Sequence, residues 1–241
     1  MNESHSTYLR LIRDHARDGA LNMAVDEFLL RNQIQTKDPN SILRFYRFSE
    51  PTITVGYGMW QAVRLEMNNQ IPSIRRVTGG GMVMHEQSDL TYSLIVPLNH
   101  QVIFKKVKES YYLIHEELRN ALRYFGITTE LFDQIGRQAI ESNPSSKPKR
   151  VSFCFDSPVS FDVMFSGRKI AGAGQKRTQG YLLHQGSIAW NVLTEAYPDL
   201  VESDFCDQFA TYLSHLLHLP IKEIPFYAEE MKEPAVSIEH G

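Results

Sequence analysis

The residues of this chain best suited to chemistry lie in two glycine-rich blocks. The first is Arg75-Arg76-Val77-Thr78-Gly79-Gly80-Gly81-Met82-Val83-Met84-His85. Three consecutive glycines after a strand-like run cost backbone entropy, so something must approach that backbone closely. Bare N–H groups in such a loop form a concavity for carbonyl, carboxylate or phosphate oxygens, and two arginines add positive charge. A tight turn with a solvated basic pair fits the same letters, because a glycine run alone is a weak motif. The second block is Gly167-Arg168-Lys169-Ile170-Ala171-Gly172-Ala173-Gly174-Gln175-Lys176-Arg177. Lys169 falls inside a short apolar strand between glycines, and a lysine enclosed by backbone is desolvated, which suits it to act as a base. The plain alternative is a hairpin whose lysine snorkels to solvent. Downstream, Leu183-His184-Gln185-Gly186-Ser187-Ile188 sets polar side chains and another glycine in a strand, as a sheet does where a ligand lies against it.

The elements that must position these residues follow from hydrophobic spacing. A helix is expected from about Leu21 to Asn32, with Leu21, Ala24, Val25, Phe28 and Leu29 on one face. Strands are expected at Ile42 to Phe48 and Thr52 to Val55, with Pro51 as the breaker between them. Leu90, Tyr92, Leu94 and Val96 alternate with Thr91, Ser93 and Ile95 in a strand that Pro97 ends. A long helix then carries Val107, Ile114, Leu118, Leu122 and Phe125, and Gly126 stops it. Glu141 to Arg150 reads as a loop within one domain rather than a linker between two. After it come strand-like Ser160 to Phe165, Lys169 to Ala171 and Tyr181 to Trp190, then a helix from Glu202 to Leu217 and a tail from Pro220 that packs or frays. Hairpin-like strand groups with a few helices imply an α+β fold with a mixed, largely antiparallel sheet flanked by helices, one domain over 1–241.

Composition narrows the function classes. The chain has 241 residues, 42% apolar and 22% charged, with a formal net charge of −3. That balance excludes a broadly basic nucleic-acid binder and leaves room only for a local basic patch. Two cysteines, Cys154 and Cys206, imply no disulfide framework and fit a reducing cytoplasm. No apolar run is long enough to span a membrane, and no grouping suggests a metal. Cys206, beside Phe205 on a helix, reads as structural.

The stretch RRVTGGGMVMHEQSDLTYSLIVP followed by GRKIAGAGQKRTQGYLLHQGSI resembles the catalytic domain of the lipoate-protein ligase and octanoyltransferase family, a relative of the biotin-protein ligases. Leu21-Asn22-Met23-Ala24-Val25-Asp26-Glu27, and Leu43-Arg44-Phe45-Tyr46 leading to Pro51-Thr52, extend the likeness over roughly Gly19 to Trp190. One departure is Phe48, where relatives often carry a tryptophan between Tyr46 and Pro51, and another is the longer Gly56-Tyr57-Gly58-Met59-Trp60-Gln61. The resemblance implies an acyl pocket lined by Arg76, Thr78, Gly79, Gly80, Gly81 and His85, with Lys169 aimed at the reacting carboxyl carbon. Gly172, Gln175, His184 and Gly186 join these as expected substrate-binding residues, although His85 and His184 could equally be satisfied polar residues at sheet edges. Asp89 is expected to cap the strand after it rather than touch substrate.

Two chemistries use such a pocket. A ligase activates a free carboxylate with ATP and Mg²⁺ through an acyl adenylate. A transferase starts from a carrier-bound thioester, needs no cofactor, and requires a nucleophile to hold the acyl group between carriers. Cys154, in Ser152-Phe153-Cys154-Phe155-Asp156 and fifteen residues before Lys169, is the candidate nucleophile, since similar octanoyltransferases carry the acyl thioester on a cysteine followed by Phe. Its alternative is a small buried hydrophobe between two phenylalanines. The expectation is therefore a transferase, with the ATP-dependent ligase as the alternative and a non-catalytic acyl-binding relative behind it. The implied donor is octanoyl-acyl carrier protein or another acylated carrier, and the acceptors are lipoyl-domain proteins such as the glycine-cleavage carrier and 2-oxoacid dehydrogenase subunits. Neither nucleic acid nor membrane is expected as a partner, and the family leans to monomers.

Overall fold

The computed structural model describes residues 7–63, 70–99, 104–133 and 158–232. Among them, Leu9–Arg13 (β1), Ser41–Tyr46 (β2), Leu90–Pro97 (β6), Glu130–Leu131 (β7), Val163–Phe165 (β8), Arg168–Thr178 (β9), Tyr181–Ile188 (β10) and Ile221–Glu223 (β11) form an eight-stranded sheet. Its order is β11-β1-β2-β6-β10-β9-β8-β7. The pairings β11-β1 and β1-β2 are parallel and the rest antiparallel, so the expected mixed, largely antiparallel α+β arrangement is present. A second sheet orders Ser73–Arg75 (β4), Thr52–Val55 (β3) and Met82–His85 (β5), and the triple glycine lies just before β5.

Local sequence explains how β8, β9 and β10 are laid side by side. Ser166 (φ 49°) and Gly167 (φ 75°) both adopt left-handed backbone between Phe165 and Arg168, which are paired. Gln179 (φ 46°) and Gly180 (φ 82°) do the same between Thr178 and Tyr181. Two positive-φ residues in a two-residue loop match the right-handed strand twist, the condition for a tight hairpin.

Helices cover both faces of the large sheet. Gly19–Thr36 (α1) starts where the Asp18 carboxylate accepts the Leu21 N–H at 2.8 Å, earlier than the expected Leu21 and ending later than Asn32. Val25, Leu29 and Leu30 of α1 pack on Ile12, Ile42, Ile95 and Leu183. The opposite face carries Val107–Tyr124 (α3) and Glu202–Leu217 (α5), which bury Ile114, Leu118, Phe205, Phe209 and Leu213 against Leu94, Val96, Leu182 and Ile188. Gly126 ends α3 at φ 78°, and the bounds of α5 coincide with those expected. Trp60–Val63 (α2) is a single turn.

Four expectations need correction. Ser160 to Phe165 is strand only from Val163, the residues before it forming a turn. Ile42 to Phe48 is strand only as far as Tyr46, after which Phe48 bridges to Arg17. Tyr181 to Trp190 is strand only to Ile188, and Trp190–Ala196 forms a helix (α4) instead. The tail from Pro220 neither frays nor merely packs: Ile221–Glu223 adds an edge strand to β1, and the chain turns once more at Ala228–Lys232. The Glu141 to Arg150 stretch lies outside the described residues.

Candidate active site

A cleft of about 120 Å³ opens on the α1 face of the large sheet, beneath β3 and β5. Its floor follows from strand register. Gly172 of β9 pairs with Ser187 of β10, Ser187 with Thr91 of β6, and Thr91 with Tyr46 of β2. Directly paired residues share a face, so all four line the cleft. At about 4.8 Å per strand, that row runs roughly 14 Å across the sheet, a slot with Gly172 at one end and Tyr46 at the other.

Lys169 lies at the Gly172 end. Its ammonium is 2.8 Å from the Asp162 carboxylate, with 6% of the lysine side chain and 0% of the aspartate side chain exposed. Asp162 is itself held by the Tyr111 hydroxyl at 2.6 Å and the Val159 N–H at 2.7 Å. Burial first, and then the Asp162 charge, hold the Tyr111 phenol well above its usual range, so it remains a donor. The same hydroxyl accepts the Ala173 N–H at 2.9 Å. Gly172 makes room for this arrangement, since a Cβ there would lie 2.5 Å from Lys169 Cε and 2.6 Å from Nζ. The lysine enclosed by backbone is therefore present, and a buried carboxylate fixes where its charge sits.

A break in alternation aims that lysine. Met164 pairs with Lys169, but Val163 pairs with Ala171, so β9 carries one extra residue at this point. Ile170 and Ala171 consequently both enter the core under α3 and α5, and Lys169 turns to the face of Gly172. Re-aiming a side chain beside a site is a common use of such a bulge.

The triple-glycine loop forms the lid of the cleft and is fastened by backbone. The Gly79 N–H donates to the Gln175 carbonyl at 3.1 Å, and a Cβ on Gly174 would meet the Gly79 oxygen at 2.5 Å. Gly80 adopts φ 97° and lines the cleft with Gly81. Arg76 is buried and folds back on its own loop, donating to the carbonyls of Gly79 (2.8 Å), Gly81 (2.9 Å) and Thr54 (3.0 Å). Arg75 is outside, stacked over Tyr57, so the basic pair divides into one loop clamp and one surface cation.

The other expected residues separate by face. His85 lines the cleft, hydrogen-bonded to Thr54 Oγ1 at 2.8 Å and stacked on Phe48 at 4.3 Å between centroids. Burial, then the Arg76 charge, push it down to about 3, so it is neutral at ordinary pH. Phe48 thus supplies an aromatic support for His85. Gly186 contributes backbone to the cleft wall, while Thr78 and Gly79 brace it without lining it. Gln175 and His184 are placed elsewhere. Their side chains bond each other at 3.0 Å on the α3 face, where Gln175 also meets Ser110 and His184 meets Tyr92. Neither side chain reaches the cleft, because odd and even positions of a strand face opposite ways. Asp89 caps a turn, accepting the Glu86 N–H at 3.0 Å just before β6, and burial pushes its carboxyl up to about 6. Cys206 is buried, its thiol pushed up to about 12 by burial and then by Glu202, as suits a structural cysteine. Cys154 lies outside the described residues.

Sequence reasoning missed the residues that support the site from below. Asp26, wholly buried, accepts from Arg44 (2.8 Å), Ser93 (2.8 Å), Tyr46 (3.0 Å) and Gln185 (2.7 Å). Gln185 in turn accepts the Thr78 hydroxyl at 2.8 Å, tying the glycine loop to α1 and β2. An aspartate between Val25 and the apolar Phe28 and Leu29, and an arginine inside Ile42 to Phe48, were the available signals. Asp162, seven residues before Lys169, was another. Among the described residues, no group of three His, Cys, Asp or Glu side chains is placed to hold a metal ion, and no helix is long and apolar enough to cross a membrane.

The lipoyl protein ligase A/B catalytic domain family matches residues 18–225, and the chain belongs to that family. Among its relatives, the octanoyltransferase LipM of Halalkalibacterium halodurans is 34% identical over 197 residues, covering 79% of this chain and 69% of that protein. LipM of Bacillus cereus is 37% identical over 74% of this chain and 64% of its own length. LipM of Bacillus subtilis is 37% identical over 70% of this chain and 60% of its own length. The matched region thus spans about two thirds of these relatives. A lipoate-protein ligase A bound with ATP shares the fold with a TM-score of 0.67 at 20% identity, covering 94% of this chain and 92% of its own. So does a putative lipoate protein ligase from T. acidophilum with bound lipoic acid, with a TM-score of 0.67 at 21% identity and the same coverage.

Proposed function

We propose that this protein is an octanoyltransferase of protein lipoylation, moving a medium-chain acyl group from a carrier thioester to the lysine amine of a lipoyl-domain protein through a Cys154 thioester. The observation that carries the reading is the buried Lys169–Asp162 pair at one end of a slot crossing four strands, in a chain whose relatives are octanoyltransferases. The Cys154 thiolate attacks the carbonyl carbon of the incoming thioester, and the carrier leaves as a thiolate that takes a proton. The acceptor amine then attacks the acyl-cysteine, an amide forms, and Cys154 leaves as thiolate while the amine gives up its proton. In both steps negative charge develops on the carbonyl oxygen, and a fixed cation beside it lowers the barrier. Lys169 serves as that cation, held by Asp162, which Tyr111 in turn fixes, and lies where it can relay the amine proton. The slot takes the acyl chain, with Arg76, Gly80, Gly81 and His85 as its lid and wall.

The ligase alternative would need the loop arginines for a nucleotide phosphate. Arg76 spends hydrogen bonds on the carbonyls of Gly79 and Gly81, and Arg75 lies outside the cleft, an arrangement that favours the transferase. In this reading the enzyme works in the cytoplasm and needs no cofactor. Intact mass spectrometry after mixing with octanoyl-acyl carrier protein, without ATP, tests it: one octanoyl adduct should form on the wild type, be removed by hydroxylamine, and be absent from Cys154→Ala. Robust octanoylation of a lipoyl domain by the alanine variant would sink the nucleophile, and strict dependence on ATP with pyrophosphate release would establish the ligase.

A further inference from the structure

Outside the cleft, two cations from different sheets converge on one ring. The Arg75 guanidinium, at the end of β4, lies 4.9 Å from the Tyr57 centroid, and the Lys176 ammonium of β9 lies 5.8 Å from it. Tyr57 is 57% exposed, and its N–H donates to the Thr78 carbonyl at 2.9 Å, so it is fastened to the glycine loop at the rim of the cleft. Next along β9 and on its opposite face, Arg177 reaches the carbonyls of Lys105 and Lys106, which places the exposed start of α3 beside the same strand end. Among the described residues, Lys106 pairs with Glu109, whereas Arg75, Lys105, Lys176 and Arg177 have no carboxylate within salt-bridge distance. Bringing like charges together opposes folding, and contacts to an exposed ring return only about 0.5–1 kcal/mol each. In a chain of net charge −3, this rim is a local reversal of sign.

We propose that the Arg75–Tyr57–Lys176 rim is the docking surface for an acidic carrier protein that delivers the acyl thioester. The proposal rests on the transferase reading, in which the acyl chain enters the slot while the carrier body stays outside. A carrier presenting carboxylates meets these cations beside the glycine loop, whose Gly80 and Gly81 line the cleft. Complementary charge at such a rim steers encounter and sets partner choice more than it adds contact energy. None of the three rim side chains lines the cleft, so the chemistry should not depend on them.

The test compares two donors at saturating lipoyl-domain acceptor: octanoyl-acyl carrier protein and octanoyl-pantetheine, which lacks both the protein and the phosphate. In the double variant Arg75→Glu/Lys176→Glu, kcat/KM with the carrier should fall about 10- to 100-fold, through KM, the size expected of lost steering. With octanoyl-pantetheine it should stay within about twofold, and 0.5 M NaCl should narrow the wild type's preference for the carrier, since salt screens exposed charges beyond a few ångströms. Unchanged use of the carrier by the variant, or an equal loss with both donors, would overturn the docking surface and leave the transferase standing. Failure of the wild type with both thioesters would instead remove the transferase reading, and the docking proposal with it.

Discussion

The two faces of β9 and β10 use alternate residues of the same strands for opposite purposes. Toward α1, Lys169, Gly172, Gly174, Gln185 and Ser187 meet the glycine loop, two buried carboxylates and the cleft. Toward α3, Ile170, Ala171, Leu182, His184 and Ile188 pack on Tyr92, Ile114 and Phe209, and the polar members are satisfied by each other. Glycine shows the contrast most sharply. Gly172 is small so that the Lys169 side chain can cross it, whereas Gly186 is small so that the Tyr92 ring can press against the backbone from the other side. One face keeps space for chemistry, and the other fills it.

If that division holds, equal one-carbon substitutions should have unequal consequences. The largest effect is expected from Gly172→Ala, whose methyl would displace the flexible end of Lys169 rather than backbone. Turnover should fall about 100-fold, the scale of a catalytic group misplaced by about 1 Å, with a melting temperature close to wild type. A well-folded G172A enzyme of normal turnover would show that the position of Lys169 is unimportant.

Gly186→Ala should do the reverse. Its Cβ would overlap the Tyr92 ring, which is wedged between His184 and Phe209, so stability should drop by about 1–3 kcal/mol as in other overpacked cores. Turnover per folded molecule should stay within a few-fold. Urea denaturation alongside kinetics decides the matter, and a larger loss of kcat than of stability would erase the distinction between the faces.

A smaller effect concerns acid. Burial, more than the other influences on it, pushes His115 down to about 4 from 6.5, and burial pushes His85 down to about 3. Each is neutral when folded, so between those values and 6.5 the unfolded chain binds more protons and stability falls as pH falls. Each should contribute a loss approaching 1.4 kcal/mol per pH unit below about 6. Asp89 opposes this between 3.8 and about 6, because its folded form holds a proton that the unfolded form releases. Net destabilisation from pH 6.5 to 5 is expected, and His115→Asn should flatten the profile by about one histidine's share. An unchanged slope in H115N would mean that His115 is not neutral in the fold.

Much of the scaffold was legible because its signals are local. Glu202 to Leu217 was readable from spacing, Gly126 as a helix stop, and Leu90 to Val96 from alternation, since each depends on contacts within a few residues or on one uninterrupted face. The two glycine blocks and Lys169 were readable as a site because glycine and lysine in apolar strands are costly without a reason. The short helix at Trp190 and the edge strand at Ile221 were not, because few residues carry each and neighbours distant in sequence stabilise them.

Residue types along the chain pointed to Arg76, the triple glycine, His85, Lys169 and Gly172 as site candidates, whereas the direction each side chain faces depends on how the strands pair. Strict alternation along β9 would turn Lys169 toward the α3 core, with Ala171 and Gln175. The extra residue opposite Val163 and Met164 turns it to the cleft, and that bulge is set by pairing with another strand rather than by the letters around it. The same register sends Gln175 and His184 away from the cleft and brings in Gln185, Ser187 and Thr91. Asp162 becomes the lysine's partner because a turn fastened to Phe132 and His115, both distant in sequence, holds its carboxylate there. Residue type is a local property, but facing and pairing belong to the sheet as a whole.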